Sequence, residues 1–115
     1  MKTLVLALGL VLTAAPAFAE TIRPDEALGR IGQIVTVEGI VSEVHTAASG
    51  RATFIDMGGR YPNNVFAAVI FVDDASKFPN VESLNGKTVD ITGSVRLYKG
   101  KPEIILNDAA QIKIK

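Results

Sequence analysis

Residues 87–107, KTVDITGSVRLYKGKPEIILN, carry the clearest alternation in the chain. Val89, Ile91, Gly93, Val95 and Leu97 take every second position, with Thr88, Asp90, Thr92, Ser94 and Arg96 between them. A period of two puts apolar side chains on one face of a strand and polar ones on the other. Gly93 in mid-strand predicts a bend or a close backbone approach. The turn Tyr98-Lys99-Gly100-Lys101-Pro102 leads into a second arm, where Ile104, Ile105 and Leu106 follow Pro102. Proline is tolerated at a strand start but not inside a central strand. A hairpin of this length needs further strands over its apolar face.

Residues 33–46 (QIVTVEGIVSEVHT) alternate in the same way. Val35, Val37, Gly39, Val41 and Glu43 share one face, and Ile34, Thr36, Glu38, Ile40, Ser42 and Val44 the other. The apolar set changes faces around Gly39-Ile40, as expected of a coiled strand that bends at a glycine and serves two parts of a small barrel. A small, polar loop over 46–50 precedes a second strand over 51–57 (RATFIDM), ended by Gly58-Gly59. Arg60 to Asn64 is turn-rich. The unbroken apolar run 65–72 (VFAAVIFV) predicts a strand covered on both faces, its β-branched and aromatic content favouring strand over buried helix.

Asp73 and Asp74 read as caps of a short helix that Pro79 must end, with Phe78, Val81 and Leu84 turned inward. Near the start of the folded chain, Pro24, Asp25 and Glu26 suit one or two helical turns. Ala27, Leu28 and Ile31 are expected to plug one end of the core. Residues 111–115 (QIKIK) predict a short terminal strand whose lysines protect an edge. The predicted fold class is all-β: a five-stranded Greek-key OB-fold barrel with a short helix between strands three and four. A β-sandwich fragment is the alternative, and it offers no reason for a helix at that point.

The first 19 residues stand apart: Lys2, a nine-residue apolar run from Leu4 to Leu12, then Ala17-Phe18-Ala19. They read as a secretory signal peptide cleaved between Ala19 and Glu20. The apolar run is short of the ~20 residues a membrane span needs. Residues 20–115 are then one OB-fold domain, periplasmic or secreted, with no stable membrane insertion expected after cleavage. Losing Lys2 leaves 11 of the 12 Lys+Arg against 12 Asp+Glu, so bulk charge does not argue for a polyanion partner. The chain has no cysteine, which excludes disulfides and a thiol nucleophile.

Several segments together are similar to bacterial exported OB-fold domains of the nucleic-acid-binding, tRNA-anticodon-binding-like type. They are Glu26-Ala27 with Ile31-Gly32-Gln33-x-Val35-x-Val37-x-Gly39-x-Val41; Phe54-Ile55-Asp56-Met57-Gly58-Gly59-x-Tyr61-Pro62-Asn63; Val69-Ile70-Phe71; Leu84-x-Gly86-Lys87-x-Val89; and Gly93-x-Val95-x-x-Tyr98-Lys99-Gly100-Lys101-Pro102-Glu103-Ile104. The resemblance implies a binding face over strands two and three, rimmed by 45–51 and 98–101. Single strands need cations for phosphate and aromatic faces for bases. The candidate nucleic-acid-binding residues are Arg51, Arg60, Tyr61, Arg96, Tyr98, Lys99 and Lys101. Phe54 and Phe66 belong either to that face or to the core, and the pattern leaves the choice open. Asp56, Asp73, Asp74 and Glu103 fall on or near the same surface and oppose a polyanion.

Catalysis has little support. His45, the one histidine, lies two residues from Glu43 on one strand face, and these two groups are too few for a typical zinc site. Gly58-Gly59 lacks the long helix that a phosphate loop requires. Haem-chaperone OB domains share only fold and address with the chain. No catalytic residue, metal or cofactor is expected. The leading expectation is a non-catalytic periplasmic module for single-stranded nucleic acid or another extended polyanion. The alternative is an envelope interaction module that binds a protein or peptide on the same face, and the oligomeric state is left open.

Overall fold

A computed structural model of the chain describes residues 19–115. The expected leader falls almost entirely outside the described residues. Strand β1 (Glu20–Ile22) precedes a 3-10 helix (Pro24–Arg30), then β2 (Ile34–Thr46), β3 (Ala52–Met57) and β4 (Phe66–Phe71). Two short 3-10 helices (Val72–Lys77 and Val81–Leu84) lead to β5 (Thr88–Tyr98) and β6 (Lys101–Ile105). A last 3-10 turn (Ala109–Gln111) ends in β7 (Ile112–Ile114). No helix among the described residues is long and apolar enough to cross a membrane.

The seven strands lie in the order β1-β2-β3-β4-β6-β5-β7, and β2 also pairs with β5, so the sheet curls into a partly closed ring. Among the described residues the sheet has seven strands, two of them short, where five main strands are expected from the residue pattern. Glu20–Ile22, read from sequence as lead-in, adds a parallel strand against Val35 to Val37, and β7 pairs with β5. β7 is the short terminal strand that QIKIK predicts, whereas β1, three residues long, is too short to show a period of two. Arg30 ties β1 to the first 3-10 helix by donating from Nη1 and Nη2 to Glu20 Oε1 and Oε2, each at 2.9 Å.

The long β2 works in two halves. Ile34 to Ile40 pair with β5, and Val41 to Thr46 pair with β3, with a register shift between Val41 and Glu43. Such a bulge bends the strand and re-aims the side chains beyond it. Gly39 lies just before the shift because a Cβ there would stand 2.6 Å from Pro24 Cγ and 3.2 Å from Met57 Sδ. Gly93 plays the matching part on β5, where a Cβ would stand 2.6 Å from Ile104 Cγ2.

Inside the ring, Val35, Val37, Val41, Ile55, Met57, Phe66, Ala68, Ile70, Val89, Ile91, Val95, Ile104 and Leu106 form one buried cluster. Phe66 is a core residue and Phe54 is not. Phe78 is buried, with Val81 and Leu84 packed against the cluster. The plug needs correction: Ala27 is buried, but Leu28 is 57% exposed and Ile31 41%. A 3-10 helix has three residues per turn, so Pro24 and Ala27 share its inner face and Leu28 turns outward. The segment after β4 also forms 3-10 turns, in which Asp73 and Asp74 supply no side-chain cap and Asp74 instead accepts from Lys77 at 2.9 Å.

Glu38 and Asp90 are direct partners across β2 and β5. Burial, then the hydrogen-bonded and charged Glu38, push the Asp90 carboxyl above its ordinary range, partly opposed by Lys115 and Lys113. The folded chain therefore keeps the Asp90 proton to higher pH than the unfolded chain does. Stability that Asp90 contributes when protonated is lost as pH rises from about 4 through the folded value. Asp90→Asn is expected to flatten this loss and to add about 0.5 kcal/mol at neutral pH by removing one of two facing like charges. Urea unfolding at acid and neutral pH measures both effects.

Candidate functional site

The outward positions of the ring build the site. Directly paired residues on neighbouring strands point to the same side of a sheet. Glu43 pairs with Asp56, Asp56 with Ala67, Ala67 with Glu103, and Glu103 with Arg96. One rung of the outer surface thus carries Glu43, Asp56, Ala67, Glu103 and Arg96, with small Ala67 at its centre. The neighbouring rung carries His45, Phe54 and Val69. Over these rungs lies a cleft of about 590 Å³, walled by Thr46 to Ala48, by Tyr61, Pro62 and Asn64, and by the β5–β6 hairpin from Tyr98 to Pro102. That volume lies within the usual range for a ligand pocket.

The hairpin is a two-residue turn between the paired Tyr98 and Lys101, with positive φ at Lys99 (50°) and Gly100 (81°). Positive φ at both central positions is the turn that suits strand twist. It raises Lys99 and Tyr98 over one end of the cleft, with Lys99 Nζ 5.4 Å from the Tyr98 ring centre. The Tyr61 loop, whose Tyr61–Pro62 peptide is cis, forms another part of the wall. His45 stacks on Phe54 with ring centres 5.2 Å apart and meets Tyr61 at 5.7 Å.

Asp56 is 1% exposed and lies on the floor. Its Oδ1 accepts from Asn64 Nδ2 at 3.3 Å. Its Oδ2 lies 2.9 Å from His45 Nε2, yet the two are not aligned as a hydrogen bond, and both atoms are buried without one. Burial pushes the Asp56 carboxyl above its ordinary range; His45 beside it works against this and Glu43 adds to it. Glu43, His45 and Asp56 each bring one ligand-type atom within 4.8 Å of the others. Sequence spacing showed two of these groups and missed Asp56, because only the β2–β3 register brings it alongside.

The seven residues expected at a nucleic-acid face separate into three groups. Tyr61, Tyr98, Lys99 and Lys101 line the cleft. Arg60 and Arg96 flank it in ion pairs, Arg60 with Glu43 at 3.3 Å and Arg96 donating from Nε to Glu103 at 2.7 Å. The Arg96 guanidinium also lies 5.5 Å from the Tyr98 ring centre. Arg51 stands at the start of β3, outside the cleft lining, its amide donating to Ser49 Oγ at 3.2 Å. Glu103 shares the cleft floor with Asp56, whereas Asp73 and Asp74 are not in its lining.

Lys101 turns inward. Its Nζ donates to Asn64 O at 2.8 Å, to Asn64 Oδ1 at 2.9 Å and to Pro62 O, and so clamps the Tyr61 loop to the hairpin. Lys101→Met keeps the stem and strips these acceptors of their donor. Hydrogen bonds to a charged group are worth about 1.5–3 kcal/mol, so a loss of about 2 kcal/mol is expected in urea unfolding. Lys99→Met, two residues away on the exposed turn, should change stability by less than about 0.5 kcal/mol.

No protein-family model matches the chain, and no curated protein matches it in sequence. Solved structures do resemble it. "OBody AM1L10 bound to hen egg-white lysozyme" has a TM-score of 0.61 at 21% identity, covering 90% of this chain and 98% of its own. Asparaginyl-tRNA synthetase from Pyrococcus horikoshii has a TM-score of 0.55 at 16% identity, over 84% of this chain and 23% of that one. The Entamoeba histolytica asparaginyl-tRNA synthetase in complex with asparaginyl-adenylate has a TM-score of 0.50 at 19% identity, with the same coverages of 84% and 23%. The chain thus spans less than a quarter of these synthetases. At such identities the likeness is one of fold, an OB-like β-barrel.

Proposed function

We propose that the chain is a non-catalytic binding module that takes single-stranded nucleic acid, or a similar extended polyanion, across the cleft between Tyr61 and Tyr98. Its frame is read as a Greek-key OB barrel of five main strands, with β1 and β7 as additions. The expected leader sends it to the periplasm or beyond. One observation carries the reading: two tyrosines, 67% and 46% exposed, line one cleft together with Lys99, whose Nζ lies 5.4 Å from the Tyr98 ring centre. Aromatic faces and nearby cations are what single strands require, and stacking tolerates any base. The likeness of fold to two tRNA synthetases supports the reading without assigning it.

Fluorescence anisotropy with a labelled single-stranded oligonucleotide tests the proposal. Arg51, Arg60 and Lys99 supply three exposed cations. Three phosphate contacts to a single strand correspond to a slope of log affinity on log salt of about −2. No anisotropy change at low salt would sink the proposal.

The carboxylates of Asp56 and Glu103 on the cleft floor favour a second reading, since they repel phosphate and attract amines. On it the same face holds a protein or peptide segment of the cell envelope. Pull-down from periplasmic extract, with and without nuclease, separates the two, because partners bridged by nucleic acid vanish on digestion.

A further inference from the structure

We propose that Glu43, His45 and Asp56 bind a first-row divalent metal ion of the zinc type, leaving one coordination position open to the cleft. This site does not depend on what else the cleft binds. The β2–β3 register makes Glu43 and Asp56 direct cross-strand partners and puts His45 on the same face, two residues along. Their ligand-type atoms lie within 4.8 Å of one another. Tetrahedral zinc with bonds of about 2.1 Å separates its ligand atoms by about 3.4 Å, so an ion would part His45 Nε2 and Asp56 Oδ2 slightly from their 2.9 Å contact and draw the half-buried Glu43 side chain inward.

A second observation points to a ligand there. Asp56 is 1% exposed, and its Oδ2 meets His45 Nε2 at 2.9 Å in a contact that leaves both buried atoms short of a well-formed hydrogen bond. Buried polar atoms are ordinarily partnered. A direct His45–Asp56 pair is the arrangement present without an ion, and its 2.9 Å contact is not aligned as a hydrogen bond. Glu43 is held by Arg60 at 3.3 Å, an ion pair whose arginine is three-quarters exposed and which an ion would displace.

The surroundings resemble the outer support of a metal site. Asn64 Nδ2 engages Oδ1 of Asp56 and leaves Oδ2 turned to His45, while the Phe54 stack holds the imidazole plane. Outer groups of this kind orient metal ligands. One imidazole and two carboxylates suit zinc and its neighbours better than magnesium, which prefers an octahedral oxygen shell. Three protein ligands with a fourth position free is also the pattern of zinc sites that accept a further group.

Calorimetric titration of the metal-stripped full chain with zinc chloride is the test. Saturation at one ion per chain is expected, with a raised melting temperature and at least about tenfold weaker binding of magnesium chloride. Cobalt chloride should give the visible absorption of low-coordinate Co(II). Glu43→Gln and His45→Gln should each weaken zinc binding by about tenfold or more, and Asn64→Ala by about tenfold through the lost support of Asp56. Circular dichroism checks folding, and Glu43→Gln, at a half-buried strand position, keeps the test decisive if an Asn64 or His45 variant does not fold. The proposal is overturned if the folded wild type shows no saturable zinc binding, or if Glu43→Gln and His45→Gln bind zinc as the wild type does.

Discussion

Phe66→Ala is expected to cost about 3–5 kcal/mol of folding free energy. Phe66 is fully buried on β4 beside Met57 of β3, among the largest enclosed side chains in the ring. Two terms add: the lost transfer of a large ring from water, and the cavity left where rigid strands cannot close over it. A domain of this size has about 5–15 kcal/mol in total, so the variant should melt far below the wild type or populate unfolded chain at room temperature. Phe54→Ala is the control. Its ring lies on the outer face against His45, and the lost stack is worth only about 1 kcal/mol. Urea unfolding of both proteins measures the difference, and equal losses would contradict the assignment of Phe66 to the core and Phe54 to the cleft.

Tyr61→Ala with Tyr98→Ala is expected to lower oligonucleotide affinity by about 30-fold or more, and each change alone by about fivefold or more. Base stacking on an aromatic side chain is worth about 1–3 kcal/mol per base, and both rings line the one cleft, where each is expected to stack on a base. Neither ring belongs to the core cluster, so stability should fall by no more than about 1 kcal/mol. The loss should persist when salt is varied, because stacking releases few counterions. Lys99→Glu should behave differently and flatten the salt dependence instead. Anisotropy titrations at several salt concentrations separate the two effects. Wild-type affinity in the double tyrosine variant would show that the cleft is not where single strands bind.

Much of the frame was legible in the residue pattern. Alternation in 33–46 and 87–97, the Gly39 and Gly93 positions and the Lys99-Gly100 turn predict long bent strands and a late hairpin, and β2, β5 and β6 occupy those places. The apolar run 65–72 became β4, although Val72 passes into the following 3-10 turn. β1 and the outward turn of Leu28 were not legible. A three-residue strand has no period to detect, and a 3-10 helix places its side chains at a spacing that an α-helical reading mistakes.

The cleft was only half legible. Alternation alone could establish that Tyr98 and Lys101 flank a turn and that Glu43 and His45 share a face, since both facts are local. It could not say that Phe66 faces inward and Phe54 outward, because Phe66 has apolar neighbours on both sides and Phe54 shares its alternate face with Ala52 and Asp56, opposite Thr53, Ile55 and Met57, so both faces mix apolar and polar residues. The fate of Lys101, engaged with carbonyls 37 and 39 residues away, and the meeting of Asp56 with His45 belong to chain folding in three dimensions. The register shift between Val41 and Glu43 and the parallel pairing of β4 with β6 bring Glu43, Asp56, Ala67, Glu103 and Arg96 into one row. Periodicity along a strand reports which side a residue faces. Which residues stand beside it across the sheet is set by pairing between distant strands, and one shifted bond there changes every neighbour.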